Sequence, residues 1–200
     1  MRANQGIGHQ IQSLLLTAFL AAGWAPTARG QDPVPTKEQS KNAADYKEFL
    51  NRVQAYVSLR KSIESTLPAL KPTDLPEMIA AHQQALARKI REARPNAKRG
   101  DIFTEASRET FRRTIRDEFR GPHGRGARTT IRQGEPLKEI HLRVNEPYPD
   151  GVPFTTVPPS LLLKFPKLPD QVAYRIVGRD LILLDVEASL VVDCVSEIIP

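Results

Sequence analysis

Two hundred residues suffice for one domain, or at most two, with a core that needs no disulfide or metal to hold it. At 40% hydrophobic and 26% charged the composition is that of a soluble globular chain, and proline (17, against 11 glycines) is its outlier. The single cysteine, Cys194, excludes an intrachain disulfide, and the net charge of +6 is spread very unevenly along the chain.

The N-terminus reads as a targeting segment. Arg2 stands in an acid-free leader, Leu14 to Ala25 is apolar apart from Thr17, and Ala28-Arg29-Gly30 before Gln31 satisfies the small-x-small rule for cleavage. The apolar run, twelve residues long, is too short to span a bilayer and suits a signal-peptide core, with an N-terminal membrane anchor left uncleaved as the alternative. No cysteine lies near the cleavage point, so a lipoprotein anchor is excluded. The expected organisation is a signal peptide over 1–30, a polar leader over 31–36 and one α+β domain over 37–200. Cleavage would lower the net charge to +4.

A helix is expected from about Lys37 to Leu67. Tyr46, Phe49, Leu50, Val53, Tyr56, Val57, Ile63 and Leu67 recur at spacings of three and four and make one apolar stripe. A second helix should start at Asp74 as cap, with Pro76 in its first turn and Glu77 reaching back, and carry Met78, Ile79, His82, Leu86, Ile90 and Ala93 on one face. A third should follow Thr104 as cap, with Phe111, Ile115 and Phe119 inward. Gly121 to Gly126 reads as a loop, closing a helical part over 37–120.

Beyond it the period changes. Ile140, Leu142 and Val144 alternate with polar residues and predict a strand. Seven prolines between Pro147 and Pro169 predict extended chain lying on the core. Val172–Val177, Leu181–Leu184 and Leu190–Val195, joined by two tight turns, predict an antiparallel meander. The fold class is therefore α+β, with N-terminal helices packed on a C-terminal meander, the Pro-rich and β part covering 138–200.

Candidate chemistry is sparse. His82, His123 and His141 fall in three different elements, so neither a metal site nor a cofactor is expected. Cys194, within an apolar strand, suits core filling better than nucleophilic catalysis. Asp180, Asp185 and Asp193 of the meander would be the acids of a hydrolase-like site if they converged, but aspartates at turns ordinarily bond the local backbone. Arg99-Gly100-Asp101 spells an adhesion tripeptide and has ordinary work as a turn. The strongest signal is charge. Residues 88–143 hold sixteen Lys or Arg against eight Asp or Glu, and residues 144–200 four against eight. Arg88, Arg91, Arg94, Lys98 and Arg99 end the second helix, and Arg108, Arg112, Arg116 and Arg120 recur every four residues on the third; this stretch forms a candidate binding face, with pairing inside the helix or with the acidic C-terminal half as the alternative.

Leu168-Pro169, Tyr174 to Asp185 and Val191-Val192-Asp193 resemble the C-terminal hairpin of small exported bacterial proteins, and a similar hairpin occurs in the periplasmic nickel/cobalt-homeostasis type. Gly100-Asp101-Ile102-Phe103-Thr104 and the Pro-rich lead-in resemble uncharacterised exported proteins of soil bacteria. The resemblance implies a bacterial envelope location, periplasmic or extracellular, and at most a link to metal stress; it supplies no activity.

The expected function is a non-enzymatic binding or accessory role. The partner would be an anionic envelope component or another envelope protein and not nucleic acid. The alternatives are a hydrolase-like enzyme using the meander acids and a structural accessory subunit. Trp24, the only tryptophan, lies in the leader. Exported protein cleaved before Gln31 should therefore show tyrosine fluorescence alone, and an intact mass that includes residues 1–30 would refute the cleavage.

Overall fold

The computed structural model describes residues 36–133, 140 and 142–200, so the leader over 1–30 and His141 lie outside the described residues. Five helices precede or interrupt a four-stranded sheet: α1 (Lys37–Glu64), α2 (Pro76–Ala93), α3 (Glu105–Arg120), α4 (Gly124–Gln133), β1 (Thr155–Thr156), α5 (Pro159–Leu162), β2 (Val172–Val177), β3 (Asp180–Asp185) and β4 (Leu190–Val195). The strands are antiparallel in the order β1-β2-β3-β4, so the architecture is α+β with the meander at the C-terminal end.

Thr36 starts α1 through a reciprocal capping box with Gln39. Its stripe buries Phe49, Val53, Tyr56 and Val57, and continues through Arg60. α1 lies along α3, where Tyr46 Oη and Thr114 Oγ1 meet at 2.8 Å and Thr110 donates to Asp45 at 2.7 Å. Phe49, Phe103, Phe111, Phe165 and Tyr174 form an aromatic cluster that joins helices to β2. α5 is fastened to α3 by Lys164, whose Nζ lies 2.6 Å from the buried Glu118 carboxylate. That contact, with Ser160, holds Glu118 below the usual carboxylate range. Its stabilisation is complete above the unfolded carboxylate pKa and is lost as pH falls through the folded value.

The sheet is covered on both faces. Val172, Tyr174, Ile176, Leu181, Leu183, Leu190 and Val192 face the helices. Val177, Ile182, Leu184, Val191 and Cys194 face the other way, against Leu142, Tyr148, Ile140 and Val144. Double burial explains why β3 and β4 read as nearly continuous apolar runs and not as alternation.

Four local expectations are corrected. Leu75, not Asp74, precedes α2, with no side-chain cap, and Met78 and Ile79 are each 45% exposed, because the α2 stripe meets the core only from Leu86 onward. α1 ends at Glu64, three residues before Leu67. Residues 142–146 form no strand; Asn145 turns the chain at φ 64°, while Leu142 and Val144 still pack on the sheet as their alternation demands. Gly121–Gly126 does not stay a loop, because α4 begins inside it at Gly124.

The last correction has a steric basis. A Cβ on Gly124 would stand 2.1 Å from the Phe119 carbonyl oxygen, so only glycine lets α4 fold back this closely on the end of α3. Gly124→Ala should lower stability by about 2 kcal/mol or more. Gly126→Ala, which meets nothing within 4 Å, should be neutral or stabilising by up to about 1 kcal/mol. Urea unfolding of both variants checks the contrast.

Candidate functional site

The meander acids separate. Asp185, at the end of β3 and fully buried, accepts from Tyr56 Oη at 2.7 Å, Arg60 Nε at 3.0 Å and the Ala188 amide at 2.9 Å. Asp193, also fully buried, accepts from the amides of Gly100 (3.0 Å), Ile102 (2.8 Å), Phe103 (2.8 Å) and Cys194 (2.7 Å). Asp180, at the opposite end of β3 from Asp185, accepts from Ser196 Oγ at 3.1 Å and the Glu197 amide at 3.0 Å. Each carboxylate is consumed by protein donors, and the three do not converge among the described residues.

A β-bulge makes this arrangement. Leu183 pairs with Asp193 and Leu184 with Val191, so Val192 is the extra residue and both it and Asp193 turn toward the helices. Asp193 there gathers the Gly100–Phe103 turn, with Gly100 at φ 92°. The adhesion-like tripeptide is thereby part of a structural turn, its Asp101 accepting from the Lys98 amide at 2.9 Å.

Arg60 is the residue that sequence reasoning missed. It is 2% exposed, and its guanidinium meets Asp185, Glu64 at 2.5 Å and Glu187. Burial disfavours its charge, but the acids outweigh burial and raise its pKa. Burial, helped by the Asp185 charge, pushes the Tyr56 hydroxyl far above its ordinary value, so it remains a donor. The available signal was position: Arg60 falls on the α1 stripe, three residues after Val57. His82 faces Glu187 at 3.4 Å, His123 is exposed on the α3–α4 turn, and the described residues hold no cluster of three metal-ligating side chains. Cys194 is fully buried, and burial raises its thiol pKa.

The basic face divides into two halves. Arg108 pairs with Glu105, and Arg112 with Glu109 at 3.1 Å, both one turn back on α3. Arg116 and Arg120 are exposed and have no ion pair among the described residues. α4 adds Arg125, Arg128 and Arg132, spaced three and four apart on one face while Ala127 and Ile131 go inward. Arg128 donates to the Phe119 carbonyl at 3.1 Å and lies over the Phe119 ring at 5.5 Å. Arg128, Arg132 and Arg179 line a recess of about 410 Å³ together with Phe119, Ile131, Ile199 and Pro200, with no Asp or Glu side chain in its lining. Arg179 is steadied by the Ile199 carbonyl at 3.0 Å and by the exposed Glu197 at 3.1 Å. Sequence reading placed the face on the end of α2 and on α3, and left out α4 because it took Gly121–Gly126 for loop.

No family model, curated protein or solved structure matches this chain. The arrangement can hold an anion; it brings together no nucleophile, base and oxyanion donor among the described residues.

Asp185→Ala should cost about 3 kcal/mol or more, since it strips a buried cation of its central partner. Tyr56→Phe removes one hydrogen bond and should cost only about 1 kcal/mol. Thermal or denaturant unfolding measures both, and equal losses would contradict the ionic reading of this cluster.

Proposed function

We propose that this chain is an exported, non-enzymatic binding protein of the bacterial envelope that holds an anionic partner on the arginine recess formed by the end of α3, α4 and the β2–β3 turn. One observation carries the reading: Arg128, Arg132 and Arg179 line one recess whose lining holds no Asp or Glu side chain, and of the three only Arg179 has an ion pair among the described residues, with the exposed Glu197. Guanidinium groups pair with carboxylate and phosphate through forked donors, and an apolar floor strengthens that attraction by excluding water. Arg116, Arg120 and Arg125, exposed on the same two helices, add to the positive field that would attract an anion. The targeting leader supports an envelope location, and a carboxylate- or phosphate-bearing envelope polymer is the partner class that the charge fits. No described helix is long and apolar enough to cross a membrane.

A pair of single reversals with the same charge change tests the location. The probe is polyphosphate, a soluble phosphate polyanion, titrated at low and at physiological ionic strength. Wild-type affinity should fall steeply with salt, because exposed attraction is screened over about 8 Å at physiological ionic strength. Arg132→Glu should weaken binding by about tenfold or more, while Arg112→Glu, already neutralised by Glu109, should change it by less than about threefold. Equal losses from the two variants, or salt-independent binding, would overturn the proposal.

A further inference from the structure

A second recess lies on the other side of the β2 strand from β3. β1 pairs only with Arg175 and Ile176, so Val172 to Tyr174 have no strand neighbour on that side among the described residues. The chain from α5 to Leu168 stands beside this stretch and leaves a groove of about 560 Å³, the size of a small-molecule site. Its walls are Leu162, Phe165, Leu168, Val172 and Tyr174. Leu162 is 46% exposed and Leu163 is 88% exposed, an apolar lip that the fold leaves in water.

Two cations stand in this lining, Lys167 and Arg175, and no acid does. Arg175 lies over the Phe154 ring at 5.1 Å and donates from one terminal nitrogen to the Tyr174 carbonyl at 2.9 Å. It makes no ion pair among the described residues, and its buried Nε has no hydrogen-bond partner. Burial lowers its pKa with nothing to offset the effect, the reverse of Arg60 among its acids. Half of an ion pair is in place beside an apolar channel.

We propose that this groove binds an amphiphile with one anionic head on an apolar chain, of the class of long-chain fatty-acid carboxylates. The chain would lie between α5–Leu168 and β2, and the head would meet Arg175 and Lys167. A neutral hydrocarbon would leave both cations unmatched. An added peptide strand would need free edge donors, and the Val172 amide is already given to the Pro169 carbonyl at 3.2 Å. The site shares no lining residue with the arginine recess and stands or falls independently of it.

Calorimetry of the full chain with dodecanoate, below its micelle concentration, tests the assignment. Saturable binding is expected, with dodecanol and dodecyltrimethylammonium each about tenfold weaker or more, a factor of ten being about 1.4 kcal/mol. Arg175→Gln should reduce dodecanoate affinity by about tenfold and narrow the gap to dodecanol. Leu163→Glu, at a side chain so exposed that folding does not depend on it, should abolish binding with an unchanged melting temperature. Arg132→Glu should leave dodecanoate binding as it is. Dodecanol binding as tightly as dodecanoate, Leu163→Glu binding like wild type, absence of saturation, or displacement of dodecanoate by a short apolar peptide at lower concentration would each overturn the proposal.

Discussion

A guanidinium on the inner face of a long helix has to find its counter-charge inside the protein. Arg60 sits on the α1 stripe among Val57, Tyr56 and Val53 with only 2% of its surface exposed. The end of β3 and the turn after it supply Asp185 and Glu187, and α1 itself supplies Glu64. Because a buried cation left alone costs several kcal/mol, this contact fixes where the β3–β4 turn can lie against α1. Arg94 continues the tie, lying over the Tyr56 ring at 5.1 Å and reaching the Val192 carbonyl that the bulge turns outward.

The arginines of this chain therefore fall into physically distinct situations. Arg60 is buried and overcompensated, and its work is done within the fold. Arg108 and Arg112 are partly exposed and balanced by acids of their own helix, which leaves them little attraction to offer a partner. Arg132 lines a recess without an acid, and Arg175 is half-buried without one. Unlike the first two, these last two environments leave electrostatic free energy to be gained by association. A count of basic residues along the chain cannot separate them, since the difference lies in what each guanidinium already touches.

What could be read from sequence followed the strength of local signals. β2 and β4 were delimited by their apolar runs and turn residues, and Thr104 by its cap position before an acidic first turn. α4 was not legible, because the three glycines and one proline of residues 121–126 outweigh a short amphipathic pattern until Phe119 is known to lie against Gly124. The Ile140–Val144 alternation gave the correct buried face but the wrong conformation, since burial needs only side-chain placement whereas a strand needs a partner. Asp193 and the Gly100 turn are about ninety residues apart in sequence, and nothing local announces that the one will gather the amides of the other.

The outer edge of β4 is occupied by chain that is not itself a strand: the Asn145 amide donates to Val191, the Val191 amide to Glu146, and the Tyr148 amide to Ser189. The same few residues roof Cys194 and the second apolar face. Edge protection and thiol protection thus rest on the same stretch of chain. Any event that lifts residues 142–148 would at once offer a bare hydrogen-bonding edge and an oxidisable sulfur. In an oxidising compartment the same opening would expose one thiol per chain beside an unpaired edge, so that edge-to-edge association could be locked by an intermolecular disulfide.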